Sequence, residues 1–528
     1  MPGQLLSVTT KRQQYAFAIY LTGLVLLAIS LPLSKWLMSV SQFVIAGSWL
    51  IYGTYFSRLK GLFLNKLFMV FASVYLLHLL GMLWTTDVDY GLNDLRIKLP
   101  LLFFPFMLMS MPLPEKKHFR WVLLAFVGAV FASTMVSLFV YLGWWKAVVR
   151  DSRDISIFIS HIRLSLMVVL AIFILLHYLH DFSKIIIAIA VAAIAWFIYF
   201  LFLLNSFTGI VILIACGIYF ISKKIFTRAH LPYAIGLSAC FIAATCWFFI
   251  YVKNIIANEN NCVEQQLFET KLTTASGASY TFNDRLNGCE NGFKCGNYIC
   301  EPELQQEWNK RSQYNYDSLD NKKNYIRFTL IRYLTSKGLK KDSAALASLD
   351  VSDIEAIESS ITNYKLKKVS PFVLRLHQTA YEYKNALISN NLNGSSVMMR
   401  FIYWKASIQI WKEKFLTGHG TGDNKLVFNK WYTAHPVLEE KWQLRSHNQY
   451  LAIAVSFGLI GLAIFFFGIL YPVYAARAYL AWLFNIFLIT ALMSFINEDT
   501  LETQAGVTFF VFFYSLFMLL FRKSEKKD

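Results

Sequence analysis

The sequence predicts an all-α polytopic membrane protein with about twelve transmembrane helices. Of its 528 residues, 56% are hydrophobic and 17% aromatic, whereas soluble globular proteins are about 45–50% apolar. Uncharged runs long enough to cross a bilayer recur along the chain, including YAFAIYLTGLVLLAISL and IIIAIAVAAIAWFIYFLFLL. A long polar stretch interrupts them between residues 253 and 447. We therefore expect membrane spans on both sides of one large extramembrane segment.

The apolar runs divide the chain into three parts. Residues 1–252 are predicted to hold spans 1–9, residues 253–447 the extramembrane segment and residues 448–528 spans 10–12. The twelve predicted spans are 15–33, 36–56, 67–84, 99–113, 120–143, 164–180, 184–204, 207–222, 232–252, 448–471, 480–496 and 505–521. This nine-plus-three arrangement lacks the matching halves of many transporters.

The basic residues indicate the orientation of the spans. The chain has a net charge of +18, and much of it lies in connections beside predicted helix ends. The loops TTKRQQ, SRLKGLFLNK, PEKKHFR and SKKIFTRAH and the tail RKSEKKD fall on alternate connections. Because cytoplasmic loops are enriched in Lys and Arg, both termini are predicted to be cytoplasmic. The basic charge thus favours a membrane topology over a nucleic-acid partner, and it places residues 253–447 outside the cytoplasm.

Four cysteines lie in the predicted external segment: Cys262, Cys289, Cys295 and Cys300. An even number of cysteines in an exported segment favours disulfides. We therefore predict two disulfides among these four residues, with three possible pairings. The alternative is a zinc site, which the loose spacing disfavours.

The mouth of the tenth span carries the strongest candidate site. Arg445, His447 and Asn448 stand just before an apolar run that begins at residue 449. His447 can exchange a proton near neutral pH, and a helix N-terminus adds partial positive charge. Together these groups predict a site for an anion or a developing oxyanion at membrane depth. The alternative is a histidine that only caps the helix.

Three further cations are predicted to contact substrate. Arg400 begins RFIYWKASIQIWKEKF, an amphipathic stretch expected to lie on the membrane surface, and a guanidinium binds phosphate through two hydrogen bonds. Arg163 and Lys98 lie at external mouths of spans, where basic residues are less expected. Contact with lipid headgroups is the alternative for all three. The following GHGTGD stretch, residues 418–423, predicts a tight turn with amides directed towards substrate; it lacks the ending of a Walker loop.

These stretches, in this order, resemble the O-antigen ligase and O-antigen polymerase superfamily of bacterial membrane glycosyltransferases. The resemblance rests on Arg400 before a Trp-containing helix, GHGTGD, SHNQYL and FGLIGL. The stretches SHIRLSL and NEDTLETQAGV look like a branch found in Bacteroidetes-type bacteria. The ordered set on a twelve-span topology carries the resemblance, which covers most of the chain outside the cysteine-rich stretch.

The resemblance implies a fold similar to the GT-C glycosyltransferases and a reaction without metal or other cofactor. The donor would be a glycan on undecaprenyl diphosphate, and the acceptor a hydroxyl of a lipid A core sugar. A polymerase or a protein O-oligosaccharyltransferase would use the same residues. The location would be the bacterial inner membrane, with the site at its periplasmic face. Carried onto this chain, His447 and Arg400 would be catalytic, and Arg163, Lys98, Arg445 and Asn448 would bind substrate.

One departure from the family pattern concerns the diphosphate. The family often has an arginine after the seventh span, and Phe207 stands at that position here. Another cation must then supply the contact, and Arg163 is the first candidate. Outside this class, the main rival is a polysaccharide transporter, which should carry paired ionisable residues within its spans; His78 and His177 lack an obvious charged partner in their own spans.

Overall fold

The computed structural model describes most of the chain. The described residues are 10–145, 152–226 and 272–522, with gaps at 284–285, 287, 321–323, 390–392, 394 and 396, and isolated positions within 239–255. The chain forms two compact units, one of residues 1–145, 156–239 and 400–528 and a second of residues 146–155 and 240–399. Residues 400–447, expected to belong to the extramembrane segment, thus group with the spans.

The first unit consists of helices. Before the second unit they are α1 (Lys11–Leu33), α2 (Lys35–Tyr52), α3 (Tyr55–Phe63), α4 (Lys66–Leu80), α5 (Val88–Lys98), α6 (Pro100–Ser110), α7 (Lys116–Tyr141), α8 (His161–Tyr178), α9 (Lys184–Leu203) and α10 (Phe207–Phe226).

The second unit is mixed, and the chain then returns to the first. The second unit holds β1 (Cys289–Glu290), β2 (Phe293–Lys294), α11 (Glu301–Arg311), α12 (Ile326–Ser336), α13 (Ser343–Ala347), α14 (Val351–Glu358) and α15 (Pro371–Ser389). The remaining helices are α16 (Met398–Glu413), α17 (Asn424–Ala434), α18 (Gln449–Ala475), α19 (Trp482–Asn497) and α20 (Gln504–Arg522).

The helices agree with a polytopic membrane protein. Within the described residues, six helices are long and apolar enough to cross a membrane, or up to seven if the pair α2–α3, bent by 114°, is one broken span. Helices α10, α19 and α20 are apolar but shorter. The predicted fourth span contains only the 11-residue α6, about 16 Å long, and the ninth lies almost wholly outside the described residues. The count of twelve therefore stays a prediction.

Helix α8 is buried along most of its length, with an almost continuous buried run from Leu164 to Leu175. It packs against α7, α9, α10 and α19. The neighbouring α9 is apolar all round, yet most of its residues are exposed. A helix that exposes apolar residues suits lipid rather than water. One end of α8 carries Arg163, so this largely buried helix also positions a site residue.

Helix α18 is broken at Gly458, whose φ of 65° and ψ of −160° are not helical. The break frees backbone groups, and the stretch 415–420 binds them. The amide of Leu459 donates to the carbonyl of Phe415 (2.8 Å), and the amides of His419 and Gly420 donate to the carbonyls of Val455 (2.9 Å) and Ser456 (2.8 Å). Non-helical backbone at membrane depth is tolerated only when the protein satisfies it in this way.

The GHGTGD stretch forms the expected turn but not the expected anion site. The amides of His419 and Gly420 serve α18, and the amide of Gly422 donates to Thr85 Oγ1 at 3.1 Å. A Cβ on Gly418, whose φ is 66°, would lie 2.3 Å from the backbone nitrogen of Phe457. The glycines therefore allow two backbone segments to touch, and the predicted contact of these amides with substrate is wrong.

The second unit has its own hydrophobic core. Trp308 of α11, Tyr333 of α12 and Ile357 of α14 are fully buried in it. Residues 352–369 have the apolar spacing of a single amphipathic helix, but α14 ends at Glu358 and Ser360 adopts a φ of 64°. The apolar residues of α14 pack into this core.

The cysteines correct the prediction of two disulfides. Cys289 is in a disulfide, but Cys295 and Cys300 are free buried thiols. Cys295 belongs to the hydrophobic core, and Cys300 stands at the N-terminus of α11. Each sulfur is thus enclosed by its own neighbours. Cys262 lies outside the described residues, so the pairing of Cys289 stays open.

Candidate functional site

The start of α18 fixes the position of His447. Asn448 caps the helix by accepting a hydrogen bond from the amide of Leu451 at 3.0 Å, and its Nδ2 donates to the carbonyl of Ile496, also at 3.0 Å. His447 itself has a φ of 44°, a left-handed conformation that is uncommon outside glycine. The backbone turns sharply there and presents the imidazole beside the helix end. Strained conformations of this kind often occur at functional sites.

The structure brings Arg400 and His447 close together. Arg400 and Tyr403 are three residues apart in α16 and so share one face of that helix. The ring of Tyr403 packs against the imidazole of His447, with 5.5 Å between centroids. The hydroxyl of Tyr403 donates to the carbonyl of Trp442 at 2.8 Å, which holds the ring in place. This contact brings the guanidinium of Arg400 close enough to influence the protonation of His447.

The loop between α19 and α20 supplies three acids that were not among the predicted site residues: Glu498, Asp499 and Glu502. Glu498 Oε1 lies 3.7 Å from Arg400 Nη2, and Asp499 Oδ1 lies 3.9 Å from His447 Nδ1. Asp499 Oδ2 is also 3.5 Å from Arg445 Nη2. We call Arg400, His447, Glu498 and Asp499 the open cluster, because the side chains of Arg400 and His447 are 25% and 30% exposed.

Arg163 also belongs near the open cluster, since its positive charge acts on Glu498 and Asp499. The position at which the family often has an arginine is close by: Phe207 precedes Thr208, whose Oγ1 accepts a 3.4 Å hydrogen bond from Asn497 next to Glu498. Arg163 at the start of α8 can therefore supply charge where Phe207 cannot.

Burial changes the protonation of two groups in the open cluster. Desolvation lowers the pKa of His447; Asp499 opposes this shift, and the charges of Arg400 and Arg445 reinforce it. The imidazole is therefore neutral near pH 7 and able to accept a proton. Desolvation also raises the pKa of Glu498 to about 7, helped by Asp499 and opposed by Arg400 and Arg163. Glu498 is thus divided between its two forms at neutral pH. In the described chain, His447 Nδ1 has no hydrogen-bond partner.

The open cluster includes three side chains that could bind a metal ion. Ligand atoms of His447, Glu498 and Asp499 lie within 4.8 Å of one another, a spacing that would admit a metal ion. However, the three arginines described above direct their positive charge at the same carboxylates, which opposes a further cation. The surroundings therefore fit an anion better than a metal.

A second group of charged side chains is buried within the protein. Lys98 Nζ is 2.5 Å from Asp94 Oδ1 and 2.9 Å from Glu502 Oε1. His78 Nδ1 of α4 lies 3.2 Å from Asp94 Oδ2. Lys98 is only 2% exposed. We call His78, Asp94, Lys98 and Glu502 the closed cluster. Burial alone would raise the pKa of Asp94. The charge of Lys98, together with His78, instead holds this pKa well below its usual range.

Two predicted substrate-binding residues, Lys98 and Asn448, are engaged by contacts within the protein. Lys98 is saturated by two carboxylates, and both ends of the Asn448 amide serve the protein. Neither is placed to contact a diphosphate directly, so we expect both to position other groups. His78 does have a charged partner, Asp94, which comes from α5 rather than from its own span.

Arg445 connects the two clusters. Its Nη1 donates to the hydroxyl of Tyr90 at 2.7 Å and lies 3.4 Å from Glu502 Oε2, while its Nη2 faces Asp499. Gln449 strengthens this connection, because its Nε2 donates to Glu502 at 3.3 Å and its Oε1 accepts from the amide of Leu501 at 2.7 Å. The acidic loop is therefore fixed to the start of α18.

The missed acids had a signal in the sequence. The stretch NEDTLETQ contains all three and is unusually acidic for a connection between spans. A loop predicted to share a compartment with Arg400, Arg445 and Lys98 also offers their counter-ions.

The class of protein follows from this geometry together with the helices. It is a multi-pass membrane protein with an arginine–histidine–carboxylate site at the end of its spans. Residues 361–466, which include Arg400, the GHGTGD turn and His447, match the family model described as O-antigen ligase. This stretch of the chain is thus similar to the O-antigen ligase family, which supports the resemblance to the O-antigen ligase and polymerase superfamily. That family is of the glycosyltransferase or ligase type. No curated protein matches the chain.

Proposed function

We propose that the protein is a ligase that transfers a glycan from undecaprenyl diphosphate to a hydroxyl of a lipid A core sugar, at the periplasmic face of the bacterial inner membrane. The shared site of Arg400 and His447 is the observation that carries this proposal. A transfer of this kind needs a cation for the diphosphate and a base for the acceptor hydroxyl, and Arg400 and His447 pair with the adjacent acids Glu498 and Asp499. The reaction needs no metal, because the diphosphate is already a charged leaving group that arginines can stabilise.

In this reaction the acceptor hydroxyl gives its proton to the neutral imidazole of His447 as its oxygen attacks the anomeric carbon. The bond from that carbon to the phosphate oxygen breaks, and the diphosphate keeps the electron pair. Arg400 and Arg163 face the leaving group, and Asp499 stabilises the imidazolium. The 3.9 Å separation between His447 and Asp499 is loose, as is common in sites without substrate.

Transfer by purified variants tests this proposal. His447→Ala should reduce the rate by about 10²–10⁴ while donor binding persists. His180→Ala is the control, since His180 is exposed at the other end of α8. Unchanged transfer by His447→Ala would contradict the base assignment.

Arg400 gives a separate test of donor binding. Arg400→Ala should weaken donor binding and slow transfer, and Arg400→Lys should recover only part of each because the two-pronged guanidinium is lost. Full activity of Arg400→Ala would remove Arg400 from the donor site.

A polymerase uses the same residues, and the acceptor separates the two functions. The lipopolysaccharide of a deletion strain should lack all attached glycan if the protein is a ligase. Lipopolysaccharide that still carries a single repeat would favour the polymerase instead.

A further inference from the structure

The position of Glu498 conflicts with binding of the proposed donor. Its carboxylate lies 3.7 Å from Arg400 Nη2 and within the field of Arg163, the two cations proposed to face the diphosphate. A carboxylate and a phosphate group cannot share these cations without repulsion. The donor must therefore meet Glu498 at the moment it binds.

The three acids of the loop are held with different strength. Glu502 is 6% exposed and is bound by Lys98 at 2.9 Å, Arg445 at 3.4 Å and Gln449 at 3.3 Å. The side chain of Glu498 is 16% exposed, and its ion pair with Arg400 is longer. Glu502 is therefore a fixed structural anion, whereas Glu498 can be displaced at low cost.

We propose, resting on the proposed function, that Glu498 is an internal counter-anion that occupies the diphosphate subsite of the empty protein and yields it to the donor. Arg400 exchanges the carboxylate for a phosphate group, and Glu498 takes up a proton from the solvent because it then faces a new anion. No bond other than this O–H bond is made or broken in the exchange. Glu498 thereby keeps Arg400 paired when no donor is present and lowers the affinity for weaker anions.

This exchange makes donor affinity depend on pH. Among the described residues, the charged or titratable groups that face Glu498 are Arg400, Arg163, Asp499 and His447. Guanidinium groups do not titrate in this range, and burial keeps His447 neutral. If only the protonated form of Glu498 admits the donor, the apparent Kd is divided by the protonated fraction. With a pKa of about 7, that fraction is about one tenth at pH 8 and about nine tenths at pH 6.

Binding of undecaprenyl diphosphate to the full-length protein in lipid nanodiscs tests the proposal. Glu498→Gln should bind this probe about tenfold more tightly than the natural protein at pH 8 and less than twofold more tightly at pH 6. The terminal phosphate of the probe also titrates, but this affects both proteins equally and cancels in the ratio of their Kd values. Glu439→Gln is the control, because Glu439 is an exposed carboxylate paired with Lys441 at 2.8 Å; it should leave Kd unchanged at both values of pH.

The outcomes separate the two proposals. If Arg400→Ala weakens binding but Glu498→Gln binds equally or more weakly at pH 8, the role of Glu498 is wrong and the donor site stands. If Arg400→Ala binds as the natural protein does, the donor site is wrong and the role of Glu498 is lost with it.

A second measurement does not depend on the variant's folding. Calorimetry of the natural protein at pH 8, in two buffers of different ionisation enthalpy, should show uptake of close to one proton on binding. Binding without proton uptake would overturn the exchange.

Discussion

The open and closed clusters use the same kinds of residue for different ends. Each pairs basic side chains with carboxylates and includes one histidine, and Arg445 touches both. In the closed cluster, Lys98 approaches its carboxylates to 2.5 and 2.9 Å and is 2% exposed. In the open cluster, the ion pairs are 3.7 and 3.9 Å long and the side chains are partly exposed. We therefore expect the tight, enclosed pairs to stabilise the fold and the loose, accessible pairs to exchange partners with a ligand.

The largest expected effect tests the closed cluster. Lys98→Met leaves two buried carboxylates without their cation, which should cost about 3–5 kcal/mol of folding free energy. The expected result is a large fall in unfolding temperature, measured in detergent. Lys117→Met is the matched control, because Lys117 pairs with Glu115 at 3.0 Å but is 59% exposed, and surface pairs contribute little. Equal stability of both variants would contradict the claim that the closed cluster stabilises the fold.

Arg445 should show a mixed effect because it bridges the clusters. Arg445→Gln removes the cation from Asp499 and Glu502 but leaves Lys98 to neutralise the latter. We expect transfer to slow by about 10² and the unfolding temperature to fall less than in Lys98→Met. Thermal unfolding and transfer assays on the same preparation measure both. A loss of stability equal to that of Lys98→Met would show that Arg445 belongs to the closed cluster alone.

The smallest effect is a pH dependence that only the open cluster should produce. The ratio kcat/KM for the donor reports the free protein. It should fall about tenfold per pH unit above pH 7, as Glu498 loses its proton, and again at a pH below the usual imidazole range, as His447 gains one. Glu498→Gln should remove the alkaline limb and keep the acidic one. An alkaline limb that survives in this variant would have to come from another group.

Hydropathy located most of the fold, because each predicted span in the described part of the chain contains a helix. It could not locate the break at Gly458, because the stretch remains apolar on both sides. That break depends on hydrogen bonds from residues about 40 positions earlier. Likewise, the cysteine count indicated disulfides but could not show that Cys295 would be enclosed in a hydrophobic core.

The sequence by itself determined that the chain crosses a membrane repeatedly and that Arg400 and His447 are the residues to examine, because apolar length and local motifs are properties of short stretches. Only the tertiary structure decided which charges remain accessible. Lys98 stands just before α6 and Arg400 stands in the first turn of α16. Lys98 is nevertheless enclosed by Asp94 and Glu502, whereas Arg400 faces Glu498 at a longer distance. The reason is physical: the strength of an ion pair depends on its burial and on partners that come from distant parts of the chain.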